Sequence, residues 1–234
     1  MHERILLTVI LFFAITVSYA QAFQENDLQK NIKVFDAEGK PFVNADLDAD
    51  GTQFFIPEWK SGTIKLNSNY VYNNVSVRLN LQSQEVHYLS QQRIEMAVSP
   101  ELIKELFIYD TAKGQIITYD FQCGFPALDK QTDKDFYLVL SNGKLKFLKS
   151  IKKDLDEKKD NVFSAPKKEF VTTENYFIYD KSNNSLRLLR LNKTSVLEIL
   201  HDQESKVDAY TKENKLSYKK SEDVGKIVDY YNTL

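Results

Sequence analysis

A chain of 234 residues with a formal net charge of −2 lacks the basic excess by which nucleic-acid-binding proteins neutralise phosphates, so nucleic acid is not an expected partner. Aromatic residues make up 12% of the chain, while Gly (7) and Pro (5) are scarce, a composition that buries a core rather than staying disordered. The single cysteine, Cys123, excludes an internal disulfide, so stability must come from packing, with Cys123 itself read as a small buried hydrophobe.

The N-terminus carries the clearest signal. After Met1-His2-Glu3-Arg4, an uninterrupted apolar run extends from Ile5 to Val17, and Ser18-Tyr19-Ala20-Gln21-Ala22 supplies small residues for cleavage. The run is too short to span a bilayer as a helix, which takes about 20 residues, and fits the apolar region of a secretory signal peptide. The expected product begins near Gln21 and is periplasmic or secreted, with no transmembrane segment left after cleavage. No Cys lies at the cleavage point to accept a lipid.

Beyond the leader, Asp46-Leu47-Asp48-Ala49-Asp50-Gly51 places alternate carboxylates before a Gly. That spacing suits hard-cation coordination, and makes Asp46, Asp48 and Asp50 candidate calcium ligands. A complete EF-hand loop needs Glu at its twelfth position, which here is Pro57. The alternative is an acidic surface turn. Trp59 and the pair Phe54-Phe55 follow, aromatics that either fill the core or stack on a ligand.

From Thr63 to Val98 the pattern is short strands with polar punctuation, clearest where Val75, Val77, Leu79 and Leu81 alternate with Ser76, Arg78 and Asn80. An antiparallel meander is expected, with His87, between Val86 and Tyr88, facing solvent. Ser99-Pro100-Glu101 opens a short middle helix with Leu102, Ile103 and Leu106 inward. Three hairpins follow: Phe107–Asp110 into Gln115–Tyr119, Phe136–Leu140 through Ser141-Asn142-Gly143 into Lys144–Leu148, and Tyr176–Asp180 into Leu186–Leu189. Asn-Gly is the strongest short hairpin signal among them. The mixed-charge stretch Lys149–Lys168 between the second and third is read as a solvated loop, or as a contact for acidic polysaccharide or membrane head groups. The period then changes to helical: Asn192 caps a first helix, a second runs from about Gln203 to Asn214, and Ser221 caps a third with Val224, Ile227, Val228 and Tyr231 on one face.

Trp59 to Leu66, the Ser99-Pro100-Glu101 turn, the Asn142-Gly143-Lys144-Leu145 hairpin and the ending Val224–Leu234 with Tyr230-Tyr231-Asn232 resemble a family of exported proteins from Bacteroidota. The resemblance implies an envelope or secreted location and carries over no functional residue. It also implies that Asp110-Thr111-Ala112 is similar to an O-glycosylation acceptor, with Thr111 as the modified residue.

Catalytic constellations are thin. After the leader only His87 and His201 remain, and nucleophile elbows, phosphate-cradling loops and cofactor fingerprints are missing from the sequence. The expectation is an α+β protein, mainly antiparallel β meander and hairpins, forming a curled sheet or partial barrel with a short middle helix and C-terminal helices. Its organisation reads as a signal peptide over 1–20, an acidic extended segment over 21–50, a β-rich domain over 51–190 and helices over 191–234 packed on the same body. The expected function is a non-catalytic envelope protein that binds a protein partner or ligand. A carrier with an apolar pocket within its sheet and a carboxylate-dependent hydrolase are the alternatives.

Overall fold

The computed structural model describes residues 49–158 and 166–234. The expected signal peptide over 1–20, Asp46 and Asp48 therefore lie outside the described residues. One large sheet dominates, in the order β1(Ala49–Asp50), β10(Lys167–Asp180), β9(Leu145–Lys158), β8(Tyr137–Ser141), β7(Gln115–Gln122), β6(Ile103–Ala112), β2(Lys60–Leu66), β3(Val71–Asn80), β4(Glu85–Leu89), β5(Glu95–Val98), with β11(Ser185–Leu189) also on β10. All pairings are antiparallel except β1 with β10. The helices α1(Lys193–Ile199), α2(Glu204–Glu213) and α3(Ser221–Tyr231) close the chain. The fold is α+β, as expected.

The sheet curls but does not close into a barrel. Its inner face over β2–β7 is filled by a cluster containing Ile64, Val77, Leu79, Val86, Tyr88, Leu106, Phe121 and Phe136, all at most 1% exposed. Period-two alternation puts these residues on one face, and their burial drives the curl. Tyr72 and Val75 both join the cluster although three residues apart. Asn74 between them adopts φ 57°, and this local kink resets the alternation. One backbone hydrogen bond, from Lys153 N to Leu81 O at 3.2 Å, reaches across the curl, and the Lys153 ammonium donates to the carbonyls of Thr52 and Phe54 at 2.7 Å each.

A second cluster fills the same face farther along. Leu145, Phe147 and Ile178 of the sheet meet Val196, Leu200, Val207, Val224, Ile227, Val228 and Tyr231 of the helices. These helices are too short to be stable alone. Docking on the sheet is what holds them. Asn192 caps α1 as expected, accepting from Ser195 N at 2.9 Å. Ser221 does not cap α3; it is the first helical residue, and Lys220 occupies the cap without a side-chain bond. At the far end Asn232 accepts from Leu145 N and donates to Leu145 O, both at 2.9 Å. The Asn142–Leu145 hairpin and the Tyr230-Tyr231-Asn232 ending therefore meet in space.

Four further expectations are corrected. The middle helix is a single 3-10 turn, Pro100–Leu102, after which Ile103 and Leu106 are buried as strand residues of β6. Lys149–Lys168 is no loop over its described part: Lys149–Lys158 and Lys167–Lys168 are paired strand, and the ladder hydrogen bonds of β9 with β10 hold a stretch whose side chains are largely charged. Neither Asn142 nor Gly143 adopts positive φ, so the β8–β9 turn is not of the expected type. Gly143 is needed instead for close approach, since a Cβ there would lie 2.5 Å from Asn232 Cγ and Nδ2. The left-handed pair sits in the first hairpin, at Lys113 (φ 52°) and Gly114 (φ 77°). His87, the fourth, is 1% exposed rather than solvent-facing.

Candidate functional site

His87 and Arg78 are cross-strand neighbours on the outer face of β3 and β4. The strap Gln53–Trp59 covers them. Phe54 packs edge-on against the His87 ring at 5.3 Å, and the Arg78 guanidinium lies between the rings of Phe54 (3.9 Å) and Trp59 (4.1 Å). Glu95 ties the group together, with Oε1 2.6 Å from His87 Nδ1 and 2.7 Å from Arg78 Nη2. An ionised carboxylate only accepts, so His87 Nδ1 donates to Glu95. Burial alone would push the Glu95 carboxyl up, but the hydrogen bonds from His87 and Arg78 outweigh it and hold it below the usual range. The stacked aromatics clamp the strap to the sheet. Trp59 and Phe54 thus serve packing, as does Phe55, whose ring meets Tyr119 at 4.9 Å and Phe121 at 5.0 Å.

A different arrangement occupies the outer face of β2, β6 and β7. The register aligns Thr63 with Phe107 and Phe107 with Asp120 across three strands, and Lys65 with Glu105 and Glu105 with Gln122 in the adjoining row. Phe107 is half-buried, an aromatic ring among polar side chains. Lys65 Nζ stands 4.8 Å from its centroid and 2.7 Å from Glu105 Oε2. On the other side Lys146 donates to Gln122 Oε1 at 2.6 Å, and Gln122 Nε2 donates to Asp120 at 3.1 and 3.2 Å. The neighbouring row is also hydrogen-bonded: Thr63 Oγ1 is 3.1 Å from both Tyr109 Oη and Asn73 Oδ1.

The electrostatics of this face are uneven. Burial raises the Asp120 carboxyl, opposed by the Gln122 amide and reinforced by the charge of Glu105. Burial likewise lowers Lys146, against the pull of Asp120 and Glu105. Two groups shifted toward neutrality, beside an aromatic ring and an amide, can give and accept hydrogen bonds around a stacked ligand. None of these residues was singled out from sequence. A signal existed: Phe107 lies between Leu106 and Ile108, both buried inward, so period two sends its ring outward.

The other candidates are dispersed. Asp50 is exposed at the end of β1, and among the described residues no group of three or more His, Cys, Asp or Glu could hold a metal. Thr111 is exposed at the end of β6; Asp110 before it accepts from Thr111 N at 2.8 Å and from Lys60 at 2.7 Å. His201 Nδ1 donates to Glu198 O at 3.2 Å in an exposed turn. Cys123 is half-buried, its thiol directed to Ile103 O at 2.9 Å and pushed up to about 12 by burial. Surface depressions of about 290 Å³ by Asn73, Ser90 and Arg93, and of about 420 Å³ by Leu188, Arg190 and Glu198, are shallow and open. Among the described residues no helix is long and apolar enough to cross a membrane. Comparison with protein-family models, curated proteins and solved structures returns no match.

Proposed function

We propose that this chain is an exported, non-catalytic envelope protein that binds a partner or ligand on the outer face of β2, β6 and β7. The observation that carries this reading is the half-buried Phe107 ring in an open sheet face, with Lys65–Glu105 on one side and Asp120–Gln122–Lys146 on the other. Such a face offers an aromatic ring bordered by the Lys65–Glu105 ion pair on one side and, on the other, by Asp120 and Lys146, each hydrogen-bonded to the neutral Gln122 amide. A neutral polar ligand, or a polypeptide presenting one, would pack against the ring and exchange hydrogen bonds with these groups.

The alternatives draw less support. A carrier needs room within the sheet, whereas the inner face is occupied by Tyr88, Phe121, Phe136 and their neighbours. A hydrolase needs a free carboxylate beside Asp120, and Glu105 is engaged by Lys65. Native capture from the cell envelope tests the proposal. The wild-type chain is expected to retain a partner that Phe107→Ser loses and that Val171→Ser, on the distant β10, keeps. Equal retention by the wild type and Phe107→Ser would contradict it.

A further inference from the structure

The β6–β7 hairpin presents an edge that nothing among the described residues covers. β7 pairs with β6 through all eight residues from Gln115 to Gln122, without a bulge, but its pairing with β8 begins only at Phe121. Every second residue from Ile116 to Asp120 therefore offers its backbone donor and acceptor on one free side. Ile116 is 76% exposed on the outer face and Ile117 is 37% exposed on the inner one. Exposed strand edges are ordinarily protected by Lys, Pro, a bulge or shortness. This edge has none of these, and β-branched residues dominate its middle.

We infer that a second copy of this chain docks on this edge, β7 against β7, to form a two-fold symmetric dimer. The charge pattern favours a copy of itself: from Lys113 to Asp120 the only charges are those two, of opposite sign, at opposite ends. Antiparallel pairing brings the Lys113 end of one chain to the Asp120 end of the other. Geometry then limits the register to axes that pass through a residue, and burial of the exposed Ile117 against its own copy selects among them. The two-fold axis stands normal to the sheet, so paired residues must share a face. An axis at Ile117 pairs Ile117 with its own copy, Ile116 with Thr118 and Gln115 with Tyr119. That pairing stops short of both the Lys113–Gly114 turn and the start of β8 pairing at Phe121. It shields Ile117 against its counterpart and joins the two sheets into one.

Sedimentation of the leader-free chain and directed cross-linking test this. A dimer is expected in the wild type and a monomer in Ile117→Lys, a change at an exposed position that leaves folding intact by circular dichroism. Under oxidation Ile117→Cys is expected to form a linked dimer, since directly paired residues lie within disulfide reach. Gln115→Cys and Tyr119→Cys should link to each other in a mixture and neither to itself. Cys123 does not compete, because its thiol is half-buried and bonded to Ile103 O. A wild type that stays monomeric up to on the order of 1 mM would overturn the inference. So would a dimer that persists in Ile117→Lys, or one in which Ile117→Cys fails to link.

Discussion

Replacing Asn232 by Ala removes the side chain that joins the last turn of α3 to the β8–β9 hairpin, and its cost follows from the contacts. Both polar atoms of Asn232 bond the backbone of Leu145, at 2.9 Å each, and Leu145 is 3% exposed. Water therefore has poor access to the Leu145 N–H and C=O once their partner is gone. Two hydrogen bonds at about 1 kcal/mol net each, plus part of the desolvation penalty of the orphaned groups, give about 2–4 kcal/mol. Gly143→Ala attacks the same junction from the other side. Its new Cβ would sit 2.5 Å from Asn232 Cγ and Nδ2 and 2.9 Å from Asn232 Cβ. Asn232 can withdraw only by giving up its bonds to Leu145, so overpacking should cost about 1–3 kcal/mol. In the double variant the two closest contacts are gone and only the 2.9 Å contact remains to be relaxed. The two losses should therefore fall short of additivity by about 1 kcal/mol or more. Urea unfolding of the four proteins measures this. Additive losses, or a Gly143→Ala variant as stable as the wild type, would refute the reasoning.

Gly62→Ala should destabilise by more than Gly143→Ala, because its Cβ would meet Val77 Cγ2 at 2.4 Å and the backbone oxygen of Phe107 at 2.6 Å in a sheet that cannot move aside; thermal unfolding checks the order. Glu95, held below the usual carboxylate range in the folded state, contributes stability that is present above its unfolded value and lost as pH falls through the folded one. Asp120, raised by burial, has the opposite sign: its contribution is present below the unfolded value and lost as pH rises through the folded one. Acid titrations of stability should accordingly flatten in Glu95→Gln, while Asp120→Asn should gain stability at neutral pH; a loss there would contradict the assignment. Purified from its native cells, the protein should have an intact mass corresponding to a start near Gln21, and a mass that includes Met1 would contradict the proposed export by a cleaved leader.

The parts of the fold legible in the sequence are those in which one strand face alone is apolar. Val75, Val77, Leu79 and Leu81 announce their strand because burial selects every second residue, and Val224, Ile227, Val228 and Tyr231 announce their helix in the same way. His87 was misread because its face is buried by Phe54, more than thirty positions earlier in the chain, and local alternation carries no record of so distant a cover. Lys149–Lys158 was misread because charge on both faces hides a strand that its backbone ladder with β10 holds. Asn142-Gly143 marks a hairpin correctly and its turn type wrongly: the glycine answers to Asn232, a constraint from the far end of the chain. The proposed outer-face site was missed for a related reason. Phe107, Asp120 and Lys65 come from three strands, and only their register sets them side by side.

Hydrogen exchange of the chain from Gln21 onward, with and without the envelope fraction that native capture is expected to retain, tests the proposed binding surface most directly. Added protection is expected in Lys65, Glu105–Tyr109 and Asp120–Gln122. Protection confined to the β9–β10 arm or the C-terminal helices, with those segments unchanged, would contradict the proposed site.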